Sequence, residues 1–274
     1  MGEMIIGGRS LDVGEVFSAE GLRIHHCRQY SAPWWNARIG LLTASGIDSC
    51  ITAKRLEVSA SLKPLAALKA WEMYAGVPID RNAKDSRATR RGHELEPRAC
   101  DAYQWLADEP GALQPVGFVT DADRTLGCSP DRLVRRAGGL EVKCPELKEY
   151  LRVLIHHEET GALPAEYVPQ VQCSLLVTCR RWWDSIFYHP SDPDHPVIVR
   201  TLPDPLWQTT LLPRAVCEFN EHRDYILTVL RARRCRVDPD APPVSPAGAL
   251  GPAIARLEAD GLIDREALPD ALAA

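Results

Sequence analysis

Within LEVKCP, residues 140 to 145, apolar Leu140, Val142 and Cys144 alternate with Glu141 and Lys143. A period of two belongs to a β-strand, whose successive side chains point to opposite faces. The three apolar residues can then enter a core while Glu141 and Lys143 share the other face. Two further runs, QPVGFVT (114 to 120) and TLGCSPDRLVRR (125 to 136), read as strands, and Ala137-Gly138-Gly139 supplies a turn joining the second to GLEVKCP (139 to 145). Three such runs in mid-chain commit the protein to a sheet.

Helical periodicity surrounds them. TASGIDSCI opens at a Thr or Ser cap, LKPLAALKAWEMYAG ends at Gly76, and SRATRRGHELEPRACDAYQWLA is interrupted by Pro97. After the strands come helices PELKEYLRVLIHH and AEYVPQVQCSLLVTC, strands WWDSIFYHP and PVIVRTLP, and a long helix over LPRAVCEFNEHRDYILTVLRARR. The Trp182-Trp183 pair is expected to give its strand a core residue. This order predicts an α/β fold with a mixed central sheet flanked by helices.

The 274 residues suit one main domain, 1–236, followed by a Pro-rich linker and acidic tail, 237–274. The tail holds seven acids and two bases, so it carries the whole net charge of −5 and leaves 30 acids and 30 bases in the body. Bases cluster at 81–98, 131–136 and 231–236, runs suited to phosphates. Only six of the 32 bases are lysine, which suits bidentate phosphate contacts, although a GC-rich genome produces the same bias. Nine scattered cysteines without a CxxC pair read as free thiols, not as disulfides or a zinc ribbon. The adjacent pairs His25-His26 and His156-His157 point in different directions and make poor joint metal ligands. Neither a membrane-length apolar run nor a secretory leader is visible, so the expected location is the cytoplasm, with no membrane partner. GxSxG, Walker A, HExxH and GxGxxG patterns are absent, which excludes the corresponding hydrolase, motor and dinucleotide classes.

A tight hairpin sets Asp131 opposite Glu141, within the roughly 5 Å that separates cross-strand partners. Two carboxylates that close raise each other's proton affinity unless a cation lies between them. Oxygen ligands without a nearby His or Cys pair favour Mg²⁺ or Mn²⁺ over zinc. With Lys143 alongside, the expected chemistry is metal-assisted phosphodiester hydrolysis. A Glu-x-Lys pattern is equally what a solvated strand face looks like, so context must decide.

RGHELEP, GCSPDRL, GGLEVKCP and YVPQVQCSLLVT, preceded by WWNARIGLLTAS, supply that context. In order and spacing they resemble the motifs of the YqaJ-type viral recombinases, the family of bacteriophage lambda exonuclease within the PD-(D/E)XK nuclease superfamily. The likeness spans about residues 34 to 190 and implies a restriction-endonuclease-like core. It implies that Asp131, Glu141 and the Val142 carbonyl are metal ligands and that Lys143 is the catalytic lysine. Glu96, four residues after Gly92, becomes the carboxylate that organises a second metal or its waters, with Glu94 as its near neighbour. Gln170 becomes the glutamine that supports the site, whereas Gln172 points elsewhere. Arg38, Ser45 and Arg55 match positions that bind the 5′-terminal phosphate of a DNA end. Trp34 and Tyr167 match too, with core packing and DNA contact both open. Independently of the family, a Ser opening a helix near arginines suits an anion.

The resemblance therefore implies a metal-dependent DNA exonuclease using Mg²⁺, with Mn²⁺ as a substitute. It acts on double-stranded DNA ends and hydrolyses one strand 5′ to 3′, leaving 3′ overhangs for recombination. It also implies ring-shaped homo-trimers around DNA and a bacterial or phage origin. The alternatives are a RecB-like CRISPR-associated or restriction-type nuclease and a catalytically silent DNA-binding module of the same fold. For the tail three readings stand: docking of a partner such as a single-strand annealing protein, shielding of the DNA channel, or a solvated appendage.

Overall fold

The computed structural model describes residues 3–6, 9–12, 21–52, 56–79, 87–107 and 112–234. The acidic tail 237–274 and Arg55 lie outside the described residues. The chain opens with the antiparallel pair β1 (Glu3–Ile6) and β2 (Arg9–Asp12), then β3 (Arg23–His25), α1 (Ala32–Ala37) and β4 (Leu42–Thr43). A 3₁₀ turn (Ala44–Ser49) and the two-residue strands β5 (Ile51–Thr52) and β6 (Glu57–Val58) lead to helices α2 (Leu62–Ala75) and α3 (Arg87–Leu106). Five strands follow: β7 (Leu113–Gln114), β8 (Phe118–Thr120), β9 (Leu126–Cys128), β10 (Arg132–Val134) and β11 (Gly138–Lys143). Then come α4 (Leu147–Thr160), α5 (Val168–Thr178), β12 (Trp182–Phe187), β13 (Val197–Thr201), a π-helical turn (Trp207–Leu211) and α6 (Leu212–Arg234).

The strands form a five-stranded sheet in the order β13-β12-β11-β10-β7 and a four-stranded sheet in the order β3-β8-β9-β4, besides the two small hairpins. In the larger sheet β11 and β12 run parallel and every other pair antiparallel, so the expected mixed sheet is present. A parallel pair needs a long crossover. Here α4 and α5 supply it.

QPVGFVT divides into β7 and β8, and TLGCSPDRLVRR into β9 and β10, with the halves of each in different sheets. The chain leaves the five-stranded sheet after Gln114, makes the β8-β9 hairpin of the other sheet, and returns through Ser129-Pro130. That link joins two sheets and places Ser129 and Asp131 between them. TASGIDSCI forms a 3₁₀ turn, Ala44–Ser49, and not the expected α-helix. Pro97 does not interrupt α3, which runs through it, with Ala99, Cys100 and Tyr103 on its buried side holding it against the sheet. Tyr103 also donates its hydroxyl to the buried Asp184 at 2.7 Å.

The turn of the β10-β11 hairpin is Arg135-Arg136-Ala137, and Gly138 and Gly139 belong to β11 itself. Their bareness serves packing. Trp182 and Trp183, their partners on β12, lie over them, and a Cβ on either glycine would meet a tryptophan ring at 2.2 Å. Trp183 is fully buried and is the core residue expected of that pair.

α5 is buried on nearly every side, which suits its apolar sequence VPQVQCSLLVT. Cys173, Leu176 and Val177 join the core formed with Leu42, Ile47 and Leu126, whereas Val171 and Leu175 pack with Trp183, Phe187 and Val199. The helix therefore lies between the two sheets. Its first turn faces the charged side of β11.

Candidate active site

β10 and β11 pair with Arg132 opposite Leu140, so the next step of that register sets Asp131 against Glu141. Leu140 packs with Tyr103, Val134 and Ile186, while Glu141 projects from the opposite face and is 7% exposed. Asp131 Oδ2, just before the start of β10, accepts the Val142 backbone N–H at 2.6 Å. The Lys143 carbonyl accepts from Tyr188 on the β12 side, so alternation turns Val142 toward β10. An extended residue directs its N–H and C=O to the same edge. The Val142 carbonyl thus faces the side on which Asp131 sits.

Lys143 Nζ donates to Glu141 Oε1 at 2.8 Å and to Gln170 Oε1 at 3.2 Å, and Gln170 Nε2 donates to Glu141 Oε1 at 2.7 Å. Three side chains from two elements thereby form a closed triangle. Tyr167 stands beside it, with Lys143 Nζ 5.9 Å from its ring centroid and its hydroxyl donating to Glu149 Oε1 at 3.1 Å. Gln172 accepts the Asp204 N–H and donates to the Leu202 carbonyl, away from the site.

Burial and then the Glu141 charge hold the proton affinity of Asp131 well above the usual carboxylate range. Burial would lower the Lys143 pKa, but Glu141, with Asp131 and Tyr167, together outweigh it and the net shift is upward. The site thus keeps an ammonium charged, and a cation beside Asp131 would offset the burial and the Glu141 charge that raise its proton affinity. Among the described residues no group of three or more His, Cys, Asp or Glu side chains is gathered for a metal. Two carboxylates and a carbonyl are a sparse set that nonetheless suits Mg²⁺, which keeps several waters and needs only one or two carboxylates. The residues present fit that ion.

Glu96 reaches this pair through Arg132, whose Nη1 also donates to the Asp131 carbonyl, and its charge is among those that raise the Asp131 proton affinity. It is half-buried on α3 and accepts from Arg132 Nη1 at 2.7 Å, on the Leu140 side of the hairpin. Glu94 is exposed. Arg91, from the basic run 81–98, donates to the Cys144 and Pro145 carbonyls at 3.2 Å, tying α3 to the end of β11. Arg91 and Arg132 therefore work inside the fold, and the basic runs are not uniformly a phosphate-facing surface.

Arg38 closes α1, where its guanidinium lies 4.2 Å from the Trp34 ring centroid and donates to Ser129 Oγ at 3.1 Å and Thr43 Oγ1 at 3.4 Å. Thr43 and Ser45 hydroxyls are 3.2 Å apart, and Ser45 is exposed. Trp34 is core, donating Nε1 to the Gly117 carbonyl at 3.0 Å and to Ser129 Oγ at 2.9 Å. Arg38 and Ser45 thus share one polar cluster with Thr43 and Ser129. Sequence reasoning misses the last two. They stand inside the TAS and SPD motifs, but only the β4-β9 pairing brings those motifs together.

A family model for the YqaJ-like viral recombinase domain matches residues 33–181, and the chain belongs to that family. Among solved structures it is similar to an alkaline exonuclease, LHK-Exo, from Laribacter hongkongensis, with a TM-score of 0.62 and 26% identity over 76% of this chain and 100% of that one. The same values hold for LHK-Exo in complex with dAMP. No curated protein matches the chain by sequence. The fold is the PD-(D/E)XK nuclease fold, and the family and its structural neighbours mark an exonuclease. No described helix is long and apolar enough to cross a membrane.

Proposed function

We propose that this protein is a Mg²⁺-dependent exonuclease that shortens one strand of linear duplex DNA from its 5′ end and leaves a 3′ overhang for recombination. The observation that carries this reading is the closed triangle of Glu141, Lys143 and Gln170, with Asp131 across the hairpin. Asp131, Glu141 and the Val142 carbonyl would hold the ion. When bound, it supplies charge neutralisation at the phosphate and an acidified water.

The chain's own groups do the rest. Gln170 fixes the Glu141 carboxylate and Lys143 ammonium in one geometry, so neither must reorganise when substrate enters. Lys143 places a permanent positive charge where an attacking water and a phosphate oxygen meet. Arg38, Thr43, Ser45 and Ser129 offer a guanidinium and hydroxyls to a terminal phosphate. Ser129 and Asp131 are two residues apart, a span of at most about 7 Å. A phosphate held at the first is therefore within a nucleotide or two of the second, which suits release of mononucleotides; dAMP, found in complex with LHK-Exo, is a mononucleotide.

The test uses linear duplexes with 5′-phosphate or 5′-hydroxyl ends and closed circles, each with Mg²⁺ or EDTA. The expected result is Mg²⁺-dependent loss of the 5′-ended strand, fastest with a 5′-phosphate. Equal cutting of closed circles, or shortening from 3′ ends, overturns the reading.

A further inference from the structure

We propose that the Tyr30 ring, supported by Trp34 and His93, is an aromatic step on which a nucleobase of the bound strand end stacks. This rests on the reading of the site as one for DNA ends. Tyr30 has φ 64°, a left-handed conformation that bulky side chains rarely adopt. The turn that imposes it is anchored: Ser31 N–H bonds the Arg28 carbonyl at 3.2 Å, and Gln29 Nε2 bonds the Pro130 carbonyl at 2.9 Å, next to Asp131. The strained residue is thus tied to the sheet-to-sheet link that bears the proposed ligand.

The ring stands between the Ser129 cluster and α3, near enough to Asp131, Glu96 and Glu141 to feel their charges. On one side it lies 4.9 Å from Trp34, whose ring also carries Arg38 and whose N–H bonds Ser129. On the other it meets His93 edge-on at 4.7 Å, and His93 is one turn before Glu96 on the same face of α3. Despite these contacts Tyr30 is 50% exposed. A residue just before a helix often packs its side chain on the first turn, and Tyr30 does approach Trp35 at 6.4 Å. That role explains neither the left-handed backbone nor the half-open ring beside the site. Every base has a π face, so such a step holds a strand end without reading its sequence.

The test is a coupling cycle. Binding of 5′-phosphorylated duplexes is measured by fluorescence anisotropy with Ca²⁺ in place of Mg²⁺, each of the first three nucleotides at the 5′ end being made abasic in turn. Tyr30→Ala is expected to weaken binding of the intact duplex about tenfold and Tyr30→Phe by less than about twofold. The Tyr30→Ala penalty is expected to vanish on one abasic duplex. An equal penalty on every duplex, or none on the intact one, overturns the proposal. Should Tyr30→Ala fail to fold, Tyr30→Leu keeps the bulk and enters the same cycle. Wild-type cleavage with Mg²⁺ tests the exonuclease reading separately. Base-dependent coupling without cleavage would sink that reading alone, and cleavage without coupling would sink the stacking step alone.

Discussion

Gln170 Nε2 donates to Glu141 Oε1 at 2.7 Å, a bond that ties the buried helix between the sheets to the strand bearing the charged triad. Bonds to a charged acceptor are worth roughly 1.5–3 kcal/mol, and this one fixes a carboxylate that must not wander. Gln170→Ala should therefore lower kcat by about ten- to a hundredfold with little change in KM. Steady-state kinetics on a labelled duplex would show it; an unchanged kcat would remove Gln170 from the machinery.

Asp131 predicts an opposition between stability and activity. Its folded-state pKa is raised, first by burial and then by Glu141. The contribution of Asp131 to the stability of the metal-free protein is thus fully present below the usual carboxylate range and is lost as pH rises through the raised value. Asp131→Asn, which keeps an acceptor for the Val142 N–H, should raise the metal-free Tm at pH 8 while abolishing hydrolysis. Mg²⁺ should raise the wild-type Tm and leave the variant's unchanged, as calorimetry with and without EDTA would reveal.

The cluster around Ser129 predicts end discrimination. Arg38→Ala should remove the guanidinium that Trp34 supports at 4.2 Å, and Ser129→Ala the hydroxyl both residues share. Each variant should erase most of the preference for a 5′-phosphate over a 5′-hydroxyl, at least about tenfold, with less effect on cleavage of the hydroxyl end. The ratio of kcat/KM for the two substrates reads it directly.

The β11 glycines predict a cost far from the chemistry. Gly139→Ala places a methyl 2.2 Å from the buried Trp183 ring, in a parallel ladder that cannot separate locally. Overpacking of this kind costs about 1–3 kcal/mol. Urea unfolding should detect it as a lower midpoint at an unchanged slope.

What the sequence discloses and what it hides follow one physical division. Alternation within LEVKCP is local, so the shared face of Glu141 and Lys143 is legible from the residues alone, whereas the pairing of Asp131 with Glu141 depends on a tight turn at 135–137, two residues before the expected one. The helices α2, α4, α5 and α6 and the strands β12 and β13 are legible in the same way. A Gly pair between two strand patterns usually marks a turn, yet the rings that require Gly138 and Gly139 stand more than forty residues later on a parallel strand. The division of residues 114–136 between two sheets is equally non-local, since periodicity does not say which sheet a strand joins. The ion pair of Glu96 with Arg132 is hidden for the same reason, and so is the turn that forces Tyr30 beside the site.

The central claim is that Asp131, Glu141 and Lys143 form the centre that cuts DNA. The most direct measurement compares single-turnover hydrolysis of a 5′-phosphorylated linear duplex by wild type, Asp131→Ala, Glu141→Ala and Lys143→Ala in Mg²⁺, with folding checked by circular dichroism. Each variant is expected to fold and to slow by roughly a thousandfold. A folded variant that cuts at the wild-type rate would contradict the account.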